Sequence, residues 1–141
     1  MKLNPYLAFR DNARAAMEFY HSVFGGDLTV NTFADFHASE EPDEDDLVMH
    51  AQLETPSGFT LMASDTPRRM DYAPGTSVSI SISGSKPDDA ALRGYWERLS
   101  EGGTVTMPLE TAMWGDVFGM LTDQFGTDWM VSIGSDEGAA G

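Results

Sequence analysis

The spacing of apolar residues changes along the chain in a regular order. Leu3 to Phe9 alternates, with Leu7 and Phe9 on one face and Tyr6 and Ala8 on the other, which predicts a strand. From Ala13 to Phe24 the period lengthens. Ala16, Phe19, Tyr20, Val23 and Phe24 fall at i, i+3, i+4, i+7 and i+8, the core-facing stripe of a helix. Asp11 and Asn12 are N-cap residue types, and Gly25-Gly26 supplies a left-handed C-cap. Leu28 to Phe33 alternates again. Residues 35–46 break the pattern and read as a loop around Pro42. Leu47 to Glu54 predicts a strand with Val48, His50 and Gln52 on one face. The turn Thr55-Pro56-Ser57-Gly58 joins it to a strand over Phe59–Ser64.

A Pro-rich connection, residues 65–75, follows, and then the order repeats. Thr76 to Ser83 alternates, with Val78, Ile80 and Ile82 on one face and serines on the other. Pro87-Asp88-Asp89 opens a helix, placing acids at its positive end. Leu92, Tyr95, Trp96 and Leu99 form its stripe, Gly102-Gly103 ends it, and Thr104–Pro108 is a strand. After a 109–113 connection, Trp114 to Ile133 reads as strand, tight turn, strand, with Asp123-Gln124-Phe125-Gly126 as the turn. Phe19-Tyr20 before Gly25-Gly26 parallels Tyr95-Trp96 before Gly102-Gly103, and Leu7 and Phe9 parallel Ile80 and Ile82. The expectation is one α+β domain over residues 1–141, built from two βαβββ modules in a cupped mixed β-sheet with helices on the convex side. Module one is about 3–66, the linker about 67–75, module two about 76–133, and 134–141 a frayed tail.

Composition narrows the partners. The chain has 8 basic and 23 acidic residues, a net charge of −15, so no basic patch for nucleic acid or anionic membrane is expected. The acids Glu40, Glu41, Asp43, Glu44, Asp45 and Asp46 lack the calcium-loop pattern and read as a solvated cluster. With no cysteine there is no disulfide, thiolate metal site or cysteine nucleophile. Met1-Lys2-Leu3-Asn4-Pro5 has no apolar signal core, and no run approaches the roughly 20 apolar residues of a membrane span. The expected location is the cytoplasm.

Phe19-Tyr20-x-x-Val23-Phe24-Gly25-Gly26 resembles the first-helix signature of the vicinal oxygen chelate superfamily, the glyoxalase/bleomycin-resistance/dioxygenase fold. Further stretches resemble its PhnB-like branch, sometimes labelled 3-demethylubiquinone methyltransferase-like. They are Asn4-Pro5-Tyr6-Leu7, His50-Ala51, Leu61-Met62-Ala63-Ser64-Asp65, Met107-Pro108-Leu109, Trp114-Gly115-Asp116 with Phe118-Gly119, and Asp123-x-Phe125-Gly126-x-x-Trp129-Met130. A methyltransferase finds no support in these residues, because no Gly-rich loop follows a first strand. The resemblance implies a divalent metal held by a His or Gln in each module's first strand and a Glu in each last strand. Carried over, those positions are Asn4 and Ser77, then Ala63 (or Met62) and Val131. These residues are poor or impossible metal ligands, so the expected cofactor is none, with a divalent metal as the alternative.

The catalytic candidates are His50, Asp65 and Asp116. His50 could act as a base or lone ligand, having an ordinary pKa near ~6.5, or be a hydrogen-bonded structural histidine. Asp65 and Asp116 could pair near the cup mouth, though Asp65 could equally cap the turn before Pro67. Tyr6, His50, Met62, Ser77, Trp114, Phe118 and Trp129 are the expected ligand-binding residues, with core packing the rival reading for the aromatics. The leading functional expectation is a small-molecule-binding homodimer without the usual metal site, as the resemblance to bleomycin-resistance proteins implies. The alternative is a metal-dependent or acid–base lyase, isomerase or transferase using His50 and a nearby aspartate.

Overall fold

The computed structural model describes residues 1–135 apart from 38, 40, 74 and 76. The readings for Glu40, for a strand start at Thr76 and for the tail beyond Ser135 lie outside the described residues. The elements are β1 Tyr6–Phe9, α1 Ala13–Phe24, β2 Asp27–Thr32, β3 Val48–Glu54, β4 Thr60–Asp65, β5 Ile80–Gly84, α2 Asp89–Ser100, β6 Thr104–Thr111, β7 Val117–Thr122 and β8 Asp128–Ile133. This is βαβββ twice, an α+β fold. The chain divides into two compact units, Met1–Pro74 and Gly75–Gly141. Each carries one four-stranded mixed sheet, ordered β1-β4-β3-β2 in the first and β5-β8-β7-β6 in the second. Each unit's first strand pairs parallel with its last, and the other pairs are antiparallel.

In the first unit α1 buries Ala13, Ala16, Met17, Tyr20, Val23 and Phe24. They pack over a sheet face that buries Phe9, Ala51, Leu53, Leu61 and Ala63. A fully buried Met or Leu side chain contributes roughly 1.5–3 kcal/mol, so this layer is the main stabiliser of the unit. Phe19, expected in the stripe, is only half-buried, and Met17 takes its place in the core. In the second unit Leu92 and Leu99 of α2 pack toward Ile82, Leu121, Trp129, Val131 and Ile133. Trp96 lies directly over Gly119, where a Cβ would stand 2.7 Å from the indole Cη2.

The repeated Gly-Gly pairs share one physical cause. The first glycine of each, Gly25 and Gly102, has φ +73 and turns the chain out of its helix. The second lies flat on the end of a strand. A Cβ on Gly26 would meet the Glu54 carbonyl at 2.0 Å, and one on Gly103 the Thr122 carbonyl at 2.4 Å. Only glycine lets helix and sheet backbones approach this closely.

Several boundaries differ from the sequence reading. β1 starts at Tyr6 rather than Leu3. The Pro5 carbonyl still accepts the Met62 N–H, but Leu3 is 100% exposed with no sheet to lie on. β5 starts at Ile80, opposite Trp129, and Val78 is exposed ahead of it. β6 runs on to Thr111, because the register jump between Met107 and Glu110 lets an edge strand carry Pro108 without a ladder N–H. Val48 does not share a face with His50 and Gln52. The β2–β3 register skips Met49, and this bulge turns Val48 into the core. The 35–46 loop contains two short 3-10 turns, Ala34–Phe36 and Pro42–Glu44. Glu44 in the second is buried and accepts the Arg68 N–H at 2.9 Å.

Candidate functional site

Strand alternation sends one set of side chains away from each helix. In the first unit, Tyr6, Met62, Gln52 and Thr29 form one row across the sheet on that face. The next row holds Ala8 beside Ser64 and His50 beside Asn31. Tyr6 is 51% exposed, and His50, Gln52, Met62 and Ser64 are half-buried. The Tyr6 hydroxyl lies 3.2 Å from His50 Nδ1, and His50 Nε2 lies 3.3 Å from Gln52 Oε1. Gln52 in turn donates from Nε2 to Glu54 Oε1 at 3.2 Å. That last bond sets the direction at Nε2. Gln52 must present its carbonyl oxygen to His50, an oxygen only accepts, and so Nε2 carries the imidazole hydrogen. In the neutral ring Nδ1 is then the acceptor and Tyr6 the donor. Three residues at i, i+2, i+4 on β3 thus extend a directional chain from a phenol to a carboxylate.

The second unit presents a different surface at the matching rows. Met107, Met120, Met130 and Ser81 lie side by side, next to a row of Glu110, Phe118, Ser132 and Ser83. Trp114, 61% exposed, meets Phe118 edge-on at 5.6 Å between ring centroids. The 112–116 turn that holds Trp114 there is closed by the Ala112 N–H on the Asp116 carbonyl at 2.7 Å. Thioethers and aromatic rings make an apolar, polarisable floor with hydroxyls along one side. On the helix side of the same sheet, a groove of about 420 Å³ is lined by Arg93, Trp96, Glu97, Val105, Pro108 and Leu109. It contains none of the residues expected from sequence.

These two sheets match known proteins closely. A family model for the Glyoxalase/Bleomycin resistance protein/Dioxygenase superfamily matches residues 2–131. The chain belongs to this superfamily. Protein PA1353 from Pseudomonas aeruginosa has a similar structure at 39% identity, with a TM-score of 0.79, 96% of this chain covered and 99% of that one. The PhnB protein of Bacillus cereus, which carries the name 3-demethylubiquinone-9 3-methyltransferase, has the same fold at 22% identity. Its TM-score is 0.73, over 94% of this chain and 99% of that one. The uncharacterized protein Mb0911c of Mycobacterium bovis is 31% identical over 135 residues, 90% of this chain and 79% of the relative.

The superfamily implies a divalent metal on these strand faces, and the donors present do not fit one. Ala63 and Val131, the carried-over last-strand positions, are both 0% exposed and point into the cores. The last-strand residues on the opposite faces are Met62, Ser64, Met130 and Ser132. Thioethers and neutral hydroxyls hold divalent metals poorly. Asn4 and Ser77 precede their strands, and the first-strand residues on these faces are Tyr6, Ser81 and Ser83. Both nitrogens of His50 are engaged by Tyr6 and Gln52. Among the described residues, no three His, Asp or Glu side chains gather as a metal site.

Tyr6, Met62 and His50 share one face of the first unit, and Trp114 and Phe118 are in contact in the second. Ser77 is exposed ahead of β5. Trp129 is 1% exposed, and its indole N–H donates to Asp123 Oδ2 at 2.9 Å, so it belongs to the core. Asp65 is buried and binds backbone. Its Oδ1 accepts the Ala13 N–H and its Oδ2 the Val48 N–H, each at 2.8 Å. It therefore caps α1 from the end of β4 rather than the turn before Pro67. Asn12, at the N-cap position itself, makes no side-chain cap bond. Asp116 accepts the Ser135 N–H at 3.3 Å. The sequence reading puts Gln52 on the face of His50 but does not name it as a partner of His50, or Glu54 as a partner of Gln52. Their i+2 spacing on a strand was the available signal.

Proposed function

We propose that this protein is a PhnB-like small-molecule-binding member of the superfamily that works without the usual divalent metal. The ligand is apolar or aromatic and flat, and it lies on the strand face of the second unit. One observation carries the reading: Met107, Met120 and Met130 stand in a row beside Phe118, with Trp114 edge-on to that ring. Such a surface stacks rings, and Glu110 in the adjoining row is a single carboxylate with no His or second acid beside it in these rows. The protein acts in the cytoplasm as a homodimer. The unpaired edge of β6, where Val105 and Met107 are exposed, supports pairing with a second copy.

The test is titration with a hydrophobic fluorescent dye, read by quenching of tryptophan emission. Trp114→Phe identifies the reporting residue. Phe118→Ala should cost about 1–2 kcal/mol of binding, a roughly five- to thirtyfold weaker Kd. Quenching unaffected by either change would refute the site. Stoichiometric divalent metal in protein purified without chelator, lost on His50→Ala, would refute the metal-free reading. A sedimentation mass near 15.4 kDa at micromolar concentration would refute the dimer.

A second reading, an acid–base lyase, isomerase or transferase centred on His50, has one observation in its favour, the bond from Tyr6. Of the candidate aspartates, Asp65 already accepts the Ala13 and Val48 amides with its two oxygens.

A further inference from the structure

We propose that Tyr6 and His50 form a proton-accepting dyad for a small molecule bearing a weakly acidic hydroxyl, a phenol or an enol. The inference rests on the reading that this protein binds small molecules. It makes no use of the methionine row of the second unit.

The direction of the hydrogen-bonded chain is the basis. With the imidazole neutral, Tyr6 points its own hydrogen at His50 Nδ1, and its exposed oxygen offers the surroundings lone pairs. A ligand hydroxyl can donate to it. Beyond the imidazole, the Gln52 carbonyl accepts from Nε2 whether the ring is neutral or charged, and it binds the charged ring more strongly. Glu54, bonded to the Gln52 amide, adds negative charge at the far end. The chain is thus arranged to stabilise an imidazolium once a proton arrives.

The step balances without an oxidant or reductant. The ligand O–H bond breaks, and its oxygen keeps the electron pair. That proton joins the Tyr6 oxygen as the original Tyr6 proton moves to Nδ1. The products are a bound oxyanion, an intact tyrosine that now donates to it, and an imidazolium. Met62, between Tyr6 and Gln52 in the row, supplies an apolar platform for the ring that bears the hydroxyl.

The face also sets which protonation state enters. His50 is met by Asn31 from β2 and Tyr6 from β1, with Ala8 and Ser64 on the same face, while α1 packs on the other side of the sheet. The ionisable groups of the face are Tyr6, Glu54 and Asp27, which is opposite Glu54. No lysine or arginine stands in these rows. A preformed anion would meet the Glu54 and Asp27 carboxylates with no lysine or arginine in these rows to offset them, so the neutral acid binds and ionises in place.

The experiment uses the full chain and para-nitrophenol, whose anion absorbs visible light and whose neutral acid does not. At a pH where the free probe is mostly neutral, adding protein should raise the anion band several-fold. Binding should weaken as pH rises past the probe's own pKa. The imidazole nitrogen NMR shifts of His50 should change from a bare to a protonated Nδ1 when the probe binds. Tyr6→Phe, which keeps the ring, and His50→Gln should each abolish the anion band. Unchanged melting curves separate that loss from misfolding. Absence of probe binding, binding without the anion band, or an undiminished band in Tyr6→Phe overturns the dyad. Dye quenching at Trp114 would survive any of these results, so the two proposals fail separately.

Discussion

Replacing Asp65 by alanine removes one side chain that holds three elements together. Its carboxylate accepts the Ala13 N–H at the start of α1 and the Val48 N–H at the start of β3, both at 2.8 Å, from the end of β4. The first turn of α1 has no acidic residue of its own, so this carboxylate is also the negative charge at the helix's positive end. Alanine leaves two buried donors without acceptors. At roughly 1–3 kcal/mol for each, the loss is about 2–6 kcal/mol. For a chain of this size that lowers Tm by roughly 5–15 °C. Asp65→Asn keeps one acceptor oxygen but aims an NH₂ at the other amide, so it should lose about half as much or more. Thermal unfolding followed by far-UV circular dichroism measures both variants. A shift below about 2 °C for Asp65→Ala would refute the assignment, since it corresponds to less than about 1 kcal/mol. Unchanged stability in Asp65→Asn would return Asp65 to the list of free carboxylates available for proton transfer.

The Gly-Gly pairs should respond asymmetrically to alanine. Gly25→Ala meets open space and carries only the strain of positive φ, about 1 kcal/mol, whereas Gly26→Ala also drives a methyl into the Glu54 carbonyl and should cost several times more in denaturant unfolding. Gly119→Ala should destabilise by about 1–3 kcal/mol through contact with Trp96, and Trp96→Leu should relieve most of that in a double-mutant cycle. At the surface, the Arg68 guanidinium hydrogen-bonds Asp43 and holds its carboxyl below the usual range, and it also bridges to Glu41. A depressed carboxylate pKa adds stability that is present above the unfolded value and lost as pH falls through the folded one. Arg68→Gln should therefore return Asp43 to the ordinary carboxylate range in a carboxyl-carbon NMR titration, with almost no change in Tm at neutral pH because the pair is solvent-screened.

Periodicity made the fold legible. The switch between periods of two and about 3.6 marked both helices and most strands, and the paired glycines marked where each helix folds back on its sheet. Local deviations were less visible. The Met49 bulge moves Val48 across the sheet, and no composition rule reveals a bulge. Asp65 caps a helix that begins 52 residues earlier, whereas sequence reasoning looks for caps beside the helix. Trp129 read as a ligand-facing aromatic because its partner Asp123, six residues away, looked like turn chemistry alone. Asp123 does build the turn, accepting the Phe125 and Thr127 amides, and its second oxygen anchors the buried indole.

The face assignment of the last strands shows why register matters most for function. Val131 has no ligating oxygen, but it packs opposite Gly119 and Ile82 in the core, so its identity says nothing about a metal. A one-residue shift exchanges every side chain between faces. The residues that do bear on chemistry are its neighbours Met130 and Ser132. Ala51 opposite Ala63 in the first unit then corresponds to Gly119 opposite Val131 in the second. On that alignment His50 stands where the second unit has Phe118, and Gln52 stands where it has Met120. The duplicated frame has kept its core positions small and apolar while its outward rows diverged. One now holds a directed chain of polar groups and the other a bed of thioethers and rings. That divergence is why the two proposals assign proton acceptance to the first unit and apolar stacking to the second.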